Sequence, residues 1–221
     1  MKAVLINPNS TAAMTASMLR EGRRCAPGGV IVEGRTSHNG PASIQGAEDG
    51  ARASGPLLRL VREVSEAGAD GIIIGCFDDT ALAASTKVAR CPVIGIGQAA
   101  FHACALRGWR FSVVTTLAVS VPIIEANIAA YGLAASCSRV RASGVPVLDL
   151  EHRPDAAGEK ILAEANEAAR HDGIDAIVLG CAGMTAITRR LRAGLDLPVV
   201  DPIEVAVGCI AGLGQRQLMI A

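Results

Sequence analysis

Apolar runs of four to six residues alternate with longer stretches of helical periodicity along the chain. That alternation predicts an α/β fold with parallel sheets flanked by helices. AVLIN (3–7) reads as a strand, and Asn9, Ser10 or Thr11 can cap a following helix that runs to about Arg24. VIVEG (30–34) is a second strand. RTSHNGPASIQG (35–46) is polar and turn-rich, and a long helix to Ala67 follows, interrupted near Gly55-Pro56. GIIIG (71–75) is a continuous apolar run, as expected of a strand buried on both faces. A helix over about Asp79–Arg90, a strand at PVIGI (92–96) and a helix over about 98–107 come next.

The order then begins again. RFSVVTT (110–116) is a strand, followed by a helix with Ser120 as N-cap and Pro122 in its first turn. SRVRA (138–142) is a strand, SGVPVLDLE a loop, and about 155–171 a long helix. AIVLG (176–180), a helix, PVVD (198–201) and a last helix complete the set. GADGIIIGCFDDT (68–80) and GIDAIVLGCAGMT (173–185) share an Asp, an apolar run, Gly-Cys and a later Thr. Aligned on Cys76 and Cys181, the halves stay in step. Pro92 and Pro198 follow the cysteines at nearly equal spacing, with Gln98 and Glu204 six residues further on. Two related α/β lobes are expected, each a four-stranded parallel sheet, with the active site in the cleft between them. Residues 1–104 with 205–221 form the first lobe and 105–204 the second.

Composition narrows the functions available. Aromatics make up only 2% of a chain that is 50% hydrophobic, so the core must be aliphatic. Lys+Arg and Asp+Glu are 21 each, which gives no reason to expect nucleic acid or an anionic membrane as partner. No apolar run approaches 18 residues, so no membrane span is expected. Seven cysteines without C-x-x-C spacing point to reduced thiols and a cytoplasmic setting. Four scattered histidines offer no zinc site, and the glycines of PVIGIGQA do not match the dinucleotide fingerprint. No cofactor and no metal are expected.

Ligands of open parallel sheets bind beyond the carboxyl ends of the strands, where both Gly-Cys pairs fall. Two thiols approaching one cleft from opposite lobes suit proton removal from one face of a stereocentre and proton return to the other. An unperturbed thiol is only about 3% thiolate at pH 7, so each cysteine needs help; a helix N-terminus directly after it would supply some. Asp78 and Asp79 are expected to cap the first helical turn, facing away from the thiol. Asn7, Asn9 and Ser10 after the first strand, with Thr115 and Thr116 after its counterpart, offer amide and hydroxyl groups to a substrate or, equally, to helix caps. Thr80 closes the first cysteine motif, and His38 reads as a solvated loop residue.

INPNST, GPASI, GCFDDT, PVIGI, FSVVTT, VRASGVPVL and GCAGM together resemble the hydantoin racemases of the aspartate/glutamate/hydantoin racemase superfamily. The resemblance implies a two-lobed fold, no cofactor, a homo-oligomer and Cys76 with Cys181 as the catalytic pair. It further implies a substrate pocket drawn from Asn7–Ser10, the Pro41–Ile44 loop (Pro41 and Ile44), Phe77, Thr115–Thr116 and Ala182–Gly183. Pro202 and Glu204 stand where smaller, neutral residues are expected, and a carboxylate at the pocket would alter substrate preference. Allantoin or a free amino acid such as aspartate remain alternative substrates for the same isomerase. A decarboxylase of substituted malonates, which needs only one thiol, and a two-lobed solute-binding protein are the rival classes.

Overall fold

The computed structural model describes residues 1–214. Two four-stranded parallel sheets carry the same topology. The first comprises β1 (Lys2–Asn7), β2 (Ile31–Thr36), β3 (Gly71–Ile74) and β4 (Val93–Gly95), in the order β2-β1-β3-β4. The second comprises β5 (Phe111–Thr115), β6 (Cys137–Ala142), β7 (Ala176–Leu179) and β8 (Val199–Val200), in the order β6-β5-β7-β8. The central pairs match in register, with Ile6 beside Ile74 and Val114 beside Leu179. In each pair the next N–H continues the ladder: Gly75 donates to the Ile6 carbonyl and Gly180 to the Val114 carbonyl, both at 2.8 Å. Both Gly-Cys pairs therefore leave their sheets at the same place.

The helices are α1 (Ala12–Cys25), α2 (Ala47–Glu66), α3 (Leu82–Val88), α4 (Ile96–Leu106), α5 (Val121–Ala130), α6 (Asp149–His152), α7 (Pro154–His171), α8 (Thr188–Ala193) and α9 (Pro202–Leu213). Period-two alternation sorts each sheet's side chains to two faces. Val4, Ile6, Ile72 and Ile74 meet Leu57, Val61 and Val64 of α2 on one outer face. Val114, Ile177 and Leu179 meet Ile161 of α7 and Leu191 of α8 on the other. The remaining faces look inward. Leu5 and Ile73 of one sheet and Val113 and Val178 of the other share a single core with α1, α4, α5 and α9. Phe101 stacks on Phe111 (5.7 Å between centroids) and takes the edge of Phe77 (5.3 Å), so all three phenylalanines join the lobes.

Helix α9 returns to the first lobe, where Ile203, Val207 and Ile210 are fully buried against α1, α4 and β3. On that packing we propose the division into 1–104 with 205–221 for the first lobe and 105–204 for the second, residues 215–221 lying outside the described residues. Among the described residues no helix is long and apolar enough to cross a membrane.

Several local expectations are corrected. α2 runs unbroken through Pro56, because its buried stripe of Ala53, Leu57, Val61 and Val64 outweighs one missing backbone donor. α3 begins at Leu82 and not near Asp79, since Asp79 (φ 47°) and Ala81 (φ 51°) turn the chain left-handed first. Cys181 leads into a 3-10 segment, Ala182–Ile187, before α8. Ser120 occupies the N-cap position of α5, but its side chain makes no capping bond there. The SGVPVLDLE stretch contains the start of α6.

Candidate active site

Where the ends of β1, β3, β5 and β7 meet, a narrow cleft opens between the two sheets. Cys76 and Cys181 both line it, each half-buried and free. Asn9, Met14, Met18 and Ile44 come from the first lobe; Thr115, Thr116, Ser120 and Val147 come from the second. Phe77, Ala182 and Gly183 flank the thiols, so these expected residues are brought together with the cysteines. Among the described residues no lysine or arginine lines the cleft. Its titratable groups are two thiols and one carboxylate, Asp78.

Four expected residues do not line it. Asn7 is buried and organises the turn after β1, donating to Asn9 Oδ1 (2.9 Å), the Thr11 carbonyl (3.2 Å) and Thr15 Oγ1 (3.0 Å). Ser10 turns away to Pro41, whose carbonyl accepts from both its backbone N–H (2.9 Å) and its hydroxyl (3.2 Å). Pro41 thereby anchors the 41–44 loop, which presents Ile44 to the cleft. Thr80 reaches the site indirectly: its hydroxyl donates to Cys76 Sγ at 3.3 Å. His38 is exposed on a separate groove beside β2.

The two thiols have different surroundings. Burial pushes the Cys76 thiol well above its ordinary range, and the Asp78 charge pushes it further; the Thr80 hydroxyl and the Asp78 N–H pull it back. Burial pushes Cys181 up to about 12, opposed by the N–H groups of Gly183 and Met184 and reinforced by Asp78. These surroundings favour two neutral thiols, and the donors around each sulfur decide how readily one ionises.

The acidic pair divides its labour, correcting the expectation that both cap the helix after Cys76. Asp79 caps a different helix: its carboxylate accepts from the N–H groups of Gly97 (3.0 Å) and Gln98 (2.7 Å) in the first turn of α4. It also accepts from the Tyr131 hydroxyl of the second lobe (2.8 Å). Asp78 faces the cleft. Burial raises its carboxyl to about 6, against the pull of the Ser120 hydroxyl. Its Oδ2 is buried without a hydrogen-bond partner, while its backbone carbonyl accepts from Asn127 Nδ2 of α5 at 2.8 Å. The residue pattern CFDD shows two acids but not the left-handed turn that parts them.

Glu204 is equally remote from expectation. It pairs with Arg24 (2.6 Å) and Arg192 (2.7 Å) on an outer groove and does not touch the cleft. Those arginines hold its carboxyl below the usual range. Among the described residues no cluster of His, Cys, Asp and Glu could hold a metal ion.

Residues 4–210 match the family described as Asp/Glu/Hydantoin racemase. The chain is 43% identical to a hydantoin racemase of Rhizobium meliloti over 203 residues, covering 92% of this chain and 84% of that one. It belongs to the Asp/Glu/hydantoin racemase family. Membership makes it an isomerase of the racemase type. Within the racemase family, an allantoin racemase from Klebsiella pneumoniae superposes with a TM-score of 0.92 at 36% identity, covering 96% of this chain and 87% of that one. An allantoin racemase from Pseudomonas fluorescens gives 0.93 at 32%, covering 99% and 92%. Both neighbours are racemases of the same two-lobed architecture.

Proposed function

We propose that the protein interconverts the enantiomers of 5-substituted hydantoins without a cofactor, using Cys76 and Cys181 as two bases. The observation that carries this reading is a pair of thiols on equivalent strand ends of the two lobes, lining one cleft whose described walls hold no cationic side chain. The C5 hydrogen of a hydantoin is acidified by the adjacent carbonyl. A thiolate on one face takes that proton and leaves an enolate. The thiol on the other face returns a proton to the same carbon, so the two sulfurs exchange roles with each turnover. Asn9 and Thr116 offer amide and hydroxyl donors on the wall for the oxygen that gains charge. Walls without lysine or arginine favour a neutral ring over a free amino acid. Allantoin, which carries the same ring, is the second reading, favoured by the two allantoin racemase structures that superpose so closely. A cytoplasmic homo-oligomer is the proposed setting.

Loss of optical rotation across 5-substituted hydantoins, allantoin and aspartate tests the substrate. Cys76→Ser and Cys181→Ser test the mechanism. In deuterated water each variant is expected to exchange the C5 hydrogen of one enantiomer, opposite hands for the two, with racemisation reduced by about 10³-fold. Near wild-type racemisation by either variant would rule out the two-base mechanism.

A further inference from the structure

Among the described residues, Asp78 is the one carboxylate in a cleft otherwise lined by apolar groups, amides, hydroxyls and thiols. Its Oδ2 is removed from water yet meets no donor. Buried carboxylate oxygens are ordinarily satisfied, so an orphan at a ligand cleft calls for a donor that arrives with the ligand. Asp78 is also held in place. Asn127 fixes its carbonyl, and the next residue, Asp79, is locked by Gly97, Gln98 and Tyr131. The orphan is thus not a loose side chain awaiting solvent. An acceptor fixed beside two thiols discriminates in two ways. It rewards an N–H next to the reacting carbon, and it repels a carboxylate placed there.

We infer that the Asp78 carboxylate accepts a hydrogen bond from a ring N–H of the substrate, and that this contact selects neutral N–H-bearing rings over anionic, ring-opened amino-acid derivatives. The assignment rests on the hydantoin reading above. Ser120, lying against the same carboxyl, and Asn127, on its backbone, orient the acceptor and need not touch substrate.

Two arms test it. With the wild-type enzyme, a 5-substituted hydantoin is compared with its N1-methyl and N3-methyl derivatives. Methylating the nitrogen that Asp78 holds is expected to lower kcat/KM by about 100-fold, and methylating the other by much less. The second arm uses Asp78→Asn, which keeps the shape and an acceptor oxygen but loses the charge. KM for the parent hydantoin should rise by about tenfold with a smaller fall in kcat. Competitive inhibition by the ring-opened N-carbamoyl amino acid anion should tighten by about tenfold. Opposite movements of ring and anion are the signature, since a merely structural lesion weakens both. Equal turnover of parent and both methylated rings by wild type overturns the assignment, as does a variant in which ring and anion weaken together or stay unchanged. Absence of turnover of any hydantoin by wild type overturns the substrate reading and this assignment with it. Turnover of hydantoins without the expected discrimination overturns this assignment alone.

Discussion

The Cys76 loop and the Cys181 loop begin alike and then solve one problem from different positions. Each lobe has a helix after its fourth strand whose first free N–H groups need an acceptor. In the second lobe the acceptor is Asp201, at the end of β8, which takes Ile203 N–H (2.8 Å) and Glu204 N–H (3.4 Å). It also takes the hydroxyls of Thr185 (2.7 Å) and Thr188 (2.6 Å). The equivalent N–H groups of the first lobe, on Gly97 and Gln98, are capped by Asp79 from the cysteine loop. The position matching Asp201 is Gly95, and it must be small: a Cβ there would lie 1.9 Å from Asp79 Oδ1. The repeat therefore keeps a requirement, a carboxylate at the helix end, and not a residue position. The exchange has a chemical consequence. Because the first lobe draws its cap from the cysteine loop, that loop turns left-handed at Asp79, and its neighbour Asp78 faces the cleft. In the second lobe Gly183 and Met184 occupy the matching places and give Cys181 two N–H groups in place of a carboxylate.

The largest test of this comparison is the acid exchange itself. Asp201→Ala orphans four donors and is expected to cost about 4 kcal/mol, and Asp79→Ala about 3 kcal/mol, read by chemical denaturation. Gly95→Asp alone should also destabilise, through the steric clash. Combined with Asp79→Ala it places an acid where the second lobe has one, and should recover at least half of the loss. A double variant no better than the sum of the singles breaks the equivalence.

A smaller effect separates the thiols. Cys181 has two backbone donors, and Cys76 has a carboxylate against it. Those donors make Cys181 the more readily ionised thiol, and it is expected to react about threefold faster than Cys76 with iodoacetamide at pH 8, as followed by peptide mapping. Faster labelling of Cys76 would mean that Thr80 outweighs Asp78.

The smallest effect concerns pH. The folded pKa of Asp78, about 6, is above the unfolded value, so its contribution is fully present below about pH 4 and is lost as pH rises through about 6. Asp78→Asn removes that slope. The Tm of the variant relative to wild type should increase between pH 4 and 7, and a constant difference would place the carboxyl in water.

Much of the fold and the site is legible in the sequence, for physical reasons. A buried parallel strand is a continuous aliphatic run, so GIIIG and AIVLG declare themselves, and the residue that ends such a strand falls at the ligand end of the sheet. Cys76, Cys181, Thr115 and Thr116 fall at the cleft on that argument alone. The turns beyond the strands are less legible. Asn7 and Ser10 are of the right type for a ligand, yet the turn after β1 consumes both in local hydrogen bonds. Asp78 and Asp79 are adjacent and identical in type, and only two positive φ angles separate their roles. Met14 and Met18 line the cleft from α1, Ser120 from the turn before α5 and Val147 from the segment before α6, and no local pattern marks such residues. Pro56 misleads because proline signals a break locally, whereas burial of the opposite helix stripe is a tertiary term.

Helix α9 carries a consequence for the order in which the molecule is made. Ile203, Val207 and Ile210 pack against the first sheet but are added after β8, the last strand of the second sheet. Burying three such side chains contributes about 5–9 kcal/mol, comparable to the entire net stability of an ordinary domain. During synthesis on the ribosome, the first sheet therefore waits with an open apolar groove until α9 emerges. The sheet begun first is the one whose core closes later, and the nascent chain is exposed to misassociation until α9 has emerged and packed.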